Sequence, residues 1–272
     1  MVKVLILGST GMLGNAVGKW FLSQPEKYKT YLTYRNGNIS YGDDKIYFDC
    51  LSGTLDQLRL DDYDYVINCV GTIKPFMKDN PVSAIQINSI FPWKLARRCT
   101  HAGAKLIHIT TDCVYSGAKG AYSEEDLHDA LDDYGKSKSL GEPAGCMVLR
   151  TSIIGEEIHK GASLVEWVKS QKGKPVNGYT NHDWNGITTL QYAKICDKII
   201  SNNLYQEGTY HVYSPKSINK YELVTLLGDR FDLEIMVSPY EAPVRVDRTL
   251  PTVNDLCSGL EVPSIEQQIM EM

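Results

Sequence analysis

Three tyrosine–lysine pairs in this 272-residue chain have the four-residue spacing at which a phenol and an ammonium can act together. The pairs are Tyr41/Lys45, Tyr115/Lys119 and Tyr134/Lys138. An ammonium beside a phenol lowers the phenol's pKa toward the range in which it works as a general acid. Only Tyr134 and Lys138 are predicted to open a helix, where residues four apart share a face. The other two pairs lie among glycines in predicted loops, so Tyr134 and Lys138 are the candidates for proton transfer.

A hydroxyl group is predicted at the same edge of the sheet as this pair. Thr111 follows the predicted strand 105–109. A hydroxyl, a phenol and an ammonium suit reversible hydride transfer to a carbonyl. Thr111 would hold the carbonyl oxygen, Tyr134 would donate the proton, and Lys138 would also hold the nicotinamide ribose. The alternative for Thr111 is a strand-end residue whose hydroxyl bonds the backbone.

Three glycines between the first predicted strand and the first predicted helix have the spacing of a phosphate-binding turn. They lie in the sequence Gly-Ser-Thr-Gly-Met-Leu-Gly, which runs from Gly8 to Gly14. Backbone amides and the positive end of a helix can meet a pyrophosphate there, and a side chain would block its approach. The alternative is a tight turn whose helix packs closely on the sheet. The predicted dinucleotide contacts in this turn are Gly8, Thr10, Gly11, Met12 and Leu13.

Arg35 indicates which dinucleotide the chain prefers. It stands 21 residues beyond Gly14, where an NAD-preferring site would place a carboxylate on the adenosine ribose. A guanidinium suits a 2'-phosphate through charge and paired hydrogen bonds. NADP(H) is therefore favoured and NAD(H) stays open, while a solvated arginine at a strand end is the alternative. Asp49 is either an adenine-binding residue or a turn aspartate.

Apolar runs and helical periodicity alternate along the first 150 residues. Strands are predicted at 2–7, 30–34, 46–48, 65–68, 105–109 and 146–150, and helices at 12–21, 82–101 and 134–141. This alternation predicts an α/β fold with a Rossmann-type doubly wound parallel sheet. Further on, helices are predicted at 162–171, 188–200 and 220–230, and strands at 210–213 and 234–237. We predict a dinucleotide-binding domain with the catalytic residues at 1–150, and a less regular, mixed α/β substrate-binding portion at 151–272, where the chain can cross back to the sheet.

Composition excludes several other classes of protein. The chain is 43% hydrophobic and 22% charged, with a net charge of -5. Lysines and arginines are spread along it, which argues against a nucleic-acid partner. Seven cysteines without a CxxC pair predict neither a disulfide framework nor a metal site. The start lacks a signal-like pattern and no stretch approaches the roughly 20 apolar residues that span a bilayer, so we expect a cytoplasmic protein without a membrane partner.

Six short motifs are spread along the chain between Gly8 and Ser152. They are Gly-Ser-Thr-Gly-Met-Leu-Gly, Asn68-Cys-Val-Gly, Gln86-Ile-Asn88, Thr-Thr-Asp-Cys-Val-Tyr-Ser-Gly, Tyr-Gly-Lys-Ser-Lys and Leu-Arg-Thr-Ser. This set resembles the extended short-chain dehydrogenase/reductase superfamily and, within it, the dTDP-4-dehydrorhamnose reductase-like branch.

The resemblance implies reduction, at C4, of a nucleoside-diphosphate 4-keto-6-deoxysugar for glycan or polysaccharide synthesis. It implies a catalytic triad of Thr111, Tyr134 and Lys138, with Asn88 as a supporting polar residue and Asp112 in a substrate or proton network. Related enzymes also suggest a homodimer. Further cofactor contacts predicted after the fourth strand are Cys69, Val70 and Gly71.

Two departures from the family pattern alter the predicted substrate pocket. Cys113 stands where the family commonly carries the tyrosine of Thr-Asp-Tyr, and Ile153 stands where it carries the tryptophan of Arg-Thr-Ser-Trp. Sugar-nucleotide 4,6-dehydratases that resemble this chain elsewhere carry Thr-Asp-Glu, so the missing glutamate argues against dehydration. The predicted substrate contacts are Cys113, Ser152, Ile153, Trp184 and Arg248.

Cys113 also leaves a second chemistry open. Bifunctional epimerase-reductases of the GDP-fucose synthase type place a cysteine two residues after their catalytic hydroxyl, as Cys113 follows Thr111. Such a thiol would move a proton at the carbon beside the ketone, with Glu157 or His159 as its opposite partner. A small buried filler is the alternative for Cys113. The set considered for proton relay or epimerisation is Asn88, Asp112 and Cys113.

Two further interpretations concern the C-terminal portion and the function as a whole. Trp184 either stacks on the sugar or packs in the interior. Arg245 and Arg248 either meet a substrate diphosphate or are surface arginines. A non-catalytic, NADP-binding regulatory subunit is the alternative from another functional class, since the branch includes such proteins. The intact pair Tyr134 and Lys138 argues against it.

Overall fold

The computed structural model describes residues 1–35, 41–158, 161 and 163–272. The first half alternates strands and helices. Its elements are β1 (Val2–Leu7), α1 (Met12–Leu22), β2 (Tyr28–Tyr34), β3 (Lys45–Tyr47), β4 (Tyr65–Asn68), α2 (Lys74–Met77), α3 (Pro81–Ile85), α4 (Phe91–Ala102), β5 (Lys105–Thr111), α5 (Asp133–Ser139) and β6 (Met147–Thr151).

The second half has shorter strands. Its elements are β7 (Ile153–Ile154), α6 (Leu164–Ser170), β8 (Pro175–Tyr179), β9 (His182–Trp184), β10 (Ile187–Thr188), α7 (Thr189–Ser201), β11 (Gly208–His211), β12 (Ile218–Asn219), α8 (Lys220–Arg230), β13 (Met236–Tyr240), β14 (Val246–Asp247), α9 (Leu256–Leu260) and α10 (Ile265–Met270). None of the helices in the described residues is long and apolar enough to cross a membrane.

The main sheet has seven strands in the order β11-β6-β5-β4-β1-β2-β3, and each neighbouring pair is parallel. The prediction of a doubly wound, Rossmann-type α/β fold is confirmed. The chain begins in the middle of the sheet and runs outward in both directions from β1 and β4. A sheet of this kind binds its ligand beyond the carboxyl ends of the strands where the order reverses. The fold therefore predicts a ligand cleft at the ends of β1 and β4.

Successive side chains of β1 point to opposite faces of the sheet and pack into two separate core layers. Val4 and Ile6 lie in a cluster with α1 and α7, whereas Leu5 and Leu7 lie in another with α4. All four are fully buried, because a parallel sheet covered by helices on both faces leaves its central strands no contact with water. A third cluster, formed by α6, α8, α10 and Trp184, is the core of the C-terminal portion.

Residues beyond 151 contribute to the main sheet as well. Helix α7 packs on α1, and β11 adds the seventh strand next to β6. The predicted strand 210–213 is found two residues earlier, at Gly208–His211. The chain thus crosses back to the sheet, and the division of the protein at residue 150 stays a prediction.

The single helix predicted at 82–101 is interrupted in the structure. A π-helical turn, Gln86–Ile90, separates α3 from α4. Pro92 lies in the first turn of α4 and has no N–H to bond the carbonyl of Asn88, four residues back. The wider turn places the Asn88 side chain among the loop after β4 and helix α5, which carry other candidate site residues.

Candidate active site

A cleft lies where the sheet order predicts one, at the carboxyl ends of β1 and β4. Its cavity volume is about 210 Å³, and the cleft is open to solvent. The residues predicted for the cofactor that line it are Gly8, Thr10, Gly11, Arg35, Cys69, Val70 and Gly71. Its other lining residues are Thr33, Tyr34, Phe48, Cys50, Thr72 and Ile87.

The turn after β1 depends on glycine at two positions. Gly8 has φ +81°, which side-chain-bearing residues rarely adopt. A Cβ on Gly14 would lie 2.2 Å from the carbonyl oxygen of Gly8, so the helix can approach the turn only without a side chain there. The close packing that the sequence offered as an alternative is present, and it leaves the turn beside the cleft.

The first turn of α1 fits a bound pyrophosphate. Gly11 is its N-cap, and no side chain caps the helix. The first amides of a helix lack partners within it, so the backbone N–H groups of Met12 and Leu13 are available to an anion. The Leu13 side chain itself is buried in the core between α1 and the sheet. The residues present therefore fit a dinucleotide.

Arg35 lines the cleft, whereas Asp49 does not. Arg35 follows β2, is exposed, lines the cleft, and has no carboxylate within 4.0 Å in the part of the chain that is described. The Asp49 carboxylate accepts a hydrogen bond from the Leu51 amide at 3.0 Å and does not line the cleft. This geometry is that of a turn aspartate, the second of the two interpretations.

Thr111, Tyr134 and Lys138 come together at the end of β5. This strand runs two residues further than predicted, so Thr111 is its last residue. The Thr111 hydroxyl donates to Asp112 Oδ1 at 3.0 Å and accepts from the Cys113 amide at 3.1 Å. The Tyr134 phenol lies near the Thr111 hydroxyl, and this neighbour lowers the pKa of the phenol.

Helix α5 brings the phenol and the amine to this point. Its N-cap is Asp132, whose side chain accepts from the Gly135 amide at 2.8 Å. Lys138 is 5% exposed, and its Nζ donates to the carbonyl of Ile109 on β5 at 3.2 Å. Burial lowers the pKa of Lys138 to about 8, against a raising effect of Glu142.

The expected lowering of the Tyr134 pKa is wrong for this state of the protein. Burial raises the pKa of the phenol, and the neighbouring Cys113 and Asp112 raise it further, although the nearby Thr111 hydroxyl opposes them. Lys138 bonds a backbone carbonyl instead of the phenol. Tyr134 is therefore held as a protonated donor.

Asn88 is buried, and both polar atoms of its side chain form hydrogen bonds within the protein. Its Oδ1 accepts from the Thr72 amide at 2.8 Å, and its Nδ2 donates to the Thr72 carbonyl at 2.9 Å and to Ser137 Oγ at 3.1 Å. These bonds join the loop that lines the cleft to helix α5. The side chain positions those two segments.

Asp112 and Cys113 follow Thr111 and face the C-terminal portion. Asp112 is 4% exposed, and burial raises its pKa, with Arg248 opposing. Burial and Asp112 together raise the pKa of the Cys113 thiol to about 12. The thiol is neutral near pH 7, which counts against Cys113 as a base for epimerisation.

The other residues considered for epimerisation and substrate binding are dispersed. Glu157 accepts from the Ser163 amide at 2.8 Å, next to α6, and His159 lies outside the described residues. The Ser152 carbonyl accepts from the Ile187 amide, and Ile153 pairs with Ile187 in a two-stranded sheet. Both are partly buried where the main sheet meets the C-terminal portion.

Trp184, Arg245 and Arg248 differ in how far their side chains are buried. Trp184 is 3% exposed in the C-terminal core, so the packing interpretation describes it. Arg245 is 69% exposed and pairs with Asp183 and Asp247, as a surface arginine does. Arg248 instead donates to two loop carbonyls and places Nη1 3.8 Å from Cys113 Sγ.

Lys220 is a site residue that the sequence did not reveal. It is the first residue of α8, and its charge acts on both Asp112 and Cys113. The sequence signal here, Asn219 followed three residues later by Glu222, predicts only a helix start. Nothing in it indicates that the lysine between them faces the end of β5. Across the described residues, no three His, Cys, Asp or Glu side chains are grouped to hold a metal ion.

Known proteins are similar to this chain in sequence and in fold. The methionine adenosyltransferase 2 subunit beta of Rattus norvegicus is 28% identical in an alignment 247 positions long that covers 85% of this chain and 72% of the relative. The probable low-salt glycan biosynthesis reductase Agl14 of Haloferax volcanii is 25% identical in an alignment 286 positions long, gaps included, that covers 97% of this chain and 91% of the relative. A dTDP-4-dehydrorhamnose reductase structure from Bacillus anthracis, in complex with NADP, covers all of this chain with 98% of its own, at a TM-score of 0.80 and 22% identity.

The family assignment is carried by the sequence as a whole. The model of the RmlD substrate binding domain family matches residues 2–249, a range that includes the glycine turn, the Thr111–Tyr134–Lys138 set and Lys220. The match confirms the resemblance drawn from the six motifs. The chain belongs to the RmlD substrate binding domain family.

Proposed function

We propose that this protein is an NAD(P)H-dependent reductase, with NADPH favoured, of the 4-keto group of a nucleotide-linked 4-keto-6-deoxysugar. The observation that carries the proposal is that the Thr111 hydroxyl, the Tyr134 phenol and the buried amine of Lys138 are grouped at the end of β5. These groups lie at the end of β5, the neighbour of β4, and the nucleotide cleft opens at the end of β4. The product would enter glycan or polysaccharide synthesis in the cytoplasm.

The relatives support the substrate class and the cofactor. Agl14 is named a probable glycan biosynthesis reductase, and the similar structure from Bacillus anthracis is a dTDP-4-dehydrorhamnose reductase with NADP. Arg35 at the cleft supports the choice of NADPH, since a guanidinium can bind a 2'-phosphate. A homodimer stays a prediction of the sequence.

The residues of the site suit proton delivery to a carbonyl oxygen. When bound, the nicotinamide supplies the hydride that goes to the carbonyl carbon. Tyr134 holds its proton, because its pKa is raised, until the oxygen gains negative charge and takes it. The Thr111 hydroxyl would hold the same oxygen once its proton turns from Asp112 toward the substrate, and the Lys138 amine would hold the nicotinamide ribose.

The test is NADPH oxidation by the purified protein against dTDP-, UDP-, GDP- and CDP-linked 4-keto-6-deoxyhexoses, with NADH in parallel. We expect turnover with one nucleotide, faster with NADPH, that disappears in Tyr134→Phe. Running the reaction in deuterium oxide tests epimerisation, because only epimerisation places deuterium on the sugar carbons beside the ketone. Binding of NADPH without turnover of any ketosugar would contradict the proposal.

A regulatory role is the second candidate, and one observation favours it. Relatives at 28% identity are subunits of methionine adenosyltransferase 2 named beta. In that case the protein would bind NADP and turn over no ketosugar. The wild type and Tyr134→Phe would change the rate of a methionine adenosyltransferase by the same amount.

A further inference from the structure

The ammonium of Lys220 lies where the C-terminal core approaches the end of β5. It is partly buried, with Nζ 4.9 Å from the centre of the Trp184 ring. Within the described residues, no oxygen accepts a hydrogen bond from it and no carboxylate lies within 4.0 Å. An ammonium has three N–H groups to satisfy, and burying them without acceptors costs free energy. The ring face offers attraction but no hydrogen bond of the usual kind.

A second cation stands beside it. Arg248 also lacks a carboxylate within 4.0 Å among the described residues, and three of its nitrogens point to the Tyr115 carbonyl, the Ser116 carbonyl and Cys113 Sγ. The charged or titratable groups that act on Lys220 are Asp112 and Cys113 after β5 and Arg248 after β14. One buried carboxyl group therefore faces two cations that it does not contact as a salt bridge.

This pair of cations adjoins the reacting end of the candidate site. Asp112 accepts a hydrogen bond from the Thr111 hydroxyl, and Asp112 and Cys113 both raise the pKa of the neighbouring Tyr134 phenol. Burial lowers the pKa of Lys220 to about 8, and Arg248 lowers it as well, while Asp112 and Cys113 oppose. An anionic ligand at this place would supply both the missing acceptor and the missing charge.

We propose that Lys220, assisted by Arg248, binds an anionic oxygen group of the substrate. This proposal rests on the proposed function, because it names the side chains that would bind the nucleotide sugar. Two parts of such a substrate have this chemistry: the diphosphate, and a carboxylate on the sugar. By binding that anionic group, Lys220 of the C-terminal portion holds the substrate beside the candidate catalytic residues at the end of β5.

The experiment measures binding by calorimetry to protein saturated with NADP, so that the cleft at the glycine turn is already filled. The probes are UDP-glucose, UDP-glucuronate and inorganic pyrophosphate. Lys220→Met keeps the length and apolar stem of the side chain, and Lys220→Arg keeps its charge. Lys216→Met is the matched control, because Lys216 is exposed four residues before Lys220. A melting curve of each variant checks that it is folded.

We expect Lys220→Met to weaken binding by about 10- to 100-fold, the size of a charge-assisted hydrogen bond. Lys220→Arg and Lys216→Met should bind as the wild type does within about threefold. Equal losses for both UDP-sugars and pyrophosphate identify the diphosphate. A loss confined to UDP-glucuronate identifies the sugar carboxylate.

The wild-type affinity should also fall above pH 8, where the ammonium loses its proton, whereas that of Lys220→Arg should persist. If Lys220→Met does not fold, Lys220→Gln and this pH profile decide the question. The inference is overturned if the Lys220 variants bind all probes as the wild type does, or if the NADP-saturated wild type binds none of them. The proposed reductase activity is judged separately, by ketosugar turnover.

Discussion

Two cations near the loop between β5 and α5 differ in their hydrogen bonds. All five N–H groups of Arg150 have acceptors, whereas the ammonium of Lys220 donates to none of the described residues. Arg150 is 2% exposed, and a guanidinium has five N–H groups. Their acceptors, at 2.5 to 3.0 Å, are both oxygens of Glu142, the Tyr115 hydroxyl, and Nε2 of His128 and His211.

The same sequence spacing places one tyrosine–lysine pair in the network around Arg150 and another at the candidate site. Tyr115 and Lys119 have the same spacing as Tyr134 and Lys138. Tyr115 stacks on Tyr122 at 4.3 Å and bonds Arg150, and Lys119 extends to an ion pair on the surface. A complete network has nothing left to offer a ligand, while an incomplete one keeps donors for it.

The largest expected effect separates the two tyrosines. Tyr134→Phe should reduce ketosugar turnover by about 100- to 10,000-fold, because the phenol is the proton donor, and should leave the melting temperature unchanged. Tyr115→Phe should show the reverse, with a lower melting temperature and wild-type turnover, because its hydroxyl bonds Arg150 and the Ser123 carbonyl. Steady-state NADPH oxidation and thermal melts of both variants measure this. Equal loss of turnover in the two would break the comparison.

Arg150→Met should give the next largest effect, and only on stability. It leaves the Glu142 carboxylate buried without its partner, so we expect the free energy of unfolding to fall by about 3–5 kcal/mol. Urea denaturation measures it. Arg245→Met, at an exposed ion pair, is the control and should change stability by less than about 1 kcal/mol. A stability loss of the control's size in Arg150→Met would show that the network is not a stabilising unit.

The complete network should also make the fold sensitive to acid. Since Arg150 only donates, Nε2 of His211 must accept, and its Nδ1 donates to the Pro251 carbonyl at 2.7 Å. Burial lowers the pKa of His211 to about 4. Between pH 6.5 and 4 the unfolded chain therefore binds more protons than the folded one, and the free energy of unfolding falls as the pH falls.

We expect a loss of about 3 kcal/mol over that range, measured by urea denaturation at successive pH values. His211→Gln, which does not titrate, should flatten the profile, and exposed His101→Gln should not. Below pH 4.5 the loss should continue, because hydrogen bonds to Glu124 lower the pKa of that carboxyl to about 2. Identical profiles for wild type and His211→Gln would contradict the assignment.

The smallest expected effect concerns an arginine outside any network. Arg35 lines the cleft without an ion pair to the described residues. Arg35→Ser should raise the dissociation constant of NADPH by about 10- to 100-fold and leave that of NADH nearly unchanged, because only NADPH carries the 2'-phosphate. Fluorescence titration with the two cofactors measures this. If Arg35→Ser weakened the binding of NADPH and NADH equally, Arg35 would bind a group that both cofactors carry.

Much of the fold follows from patterns that are local in the chain. The glycine turn, the strand before it and the helix after it lie within about 20 residues, so their order predicts their geometry. Tyr134 and Lys138 share a helix face for the same reason. Helix α8 has the bounds predicted for it, 220–230. The π-helical turn escaped prediction because it depends on one missing N–H, that of Pro92.

The residues that were misjudged or missed all depend on distant contacts. The expected pKa of Tyr134 was wrong because Cys113, Asp112 and burial outweigh a lysine one helical turn away. Arg245 and Arg248 look alike in sequence, yet one pairs on the surface and the other reaches Cys113.

By itself, the sequence determined the α/β class, the glycine turn after β1 and the helix that carries Tyr134 and Lys138, because each depends on spacings of a few residues. Only the tertiary structure decided which tyrosine bonds an arginine and which lies at the candidate site. It also brought Lys220 to Asp112, from more than 100 residues away, by packing α8 into the C-terminal core. Burial and charge at a site depend on such long-range packing, and no local pattern encodes which distant side chain will arrive.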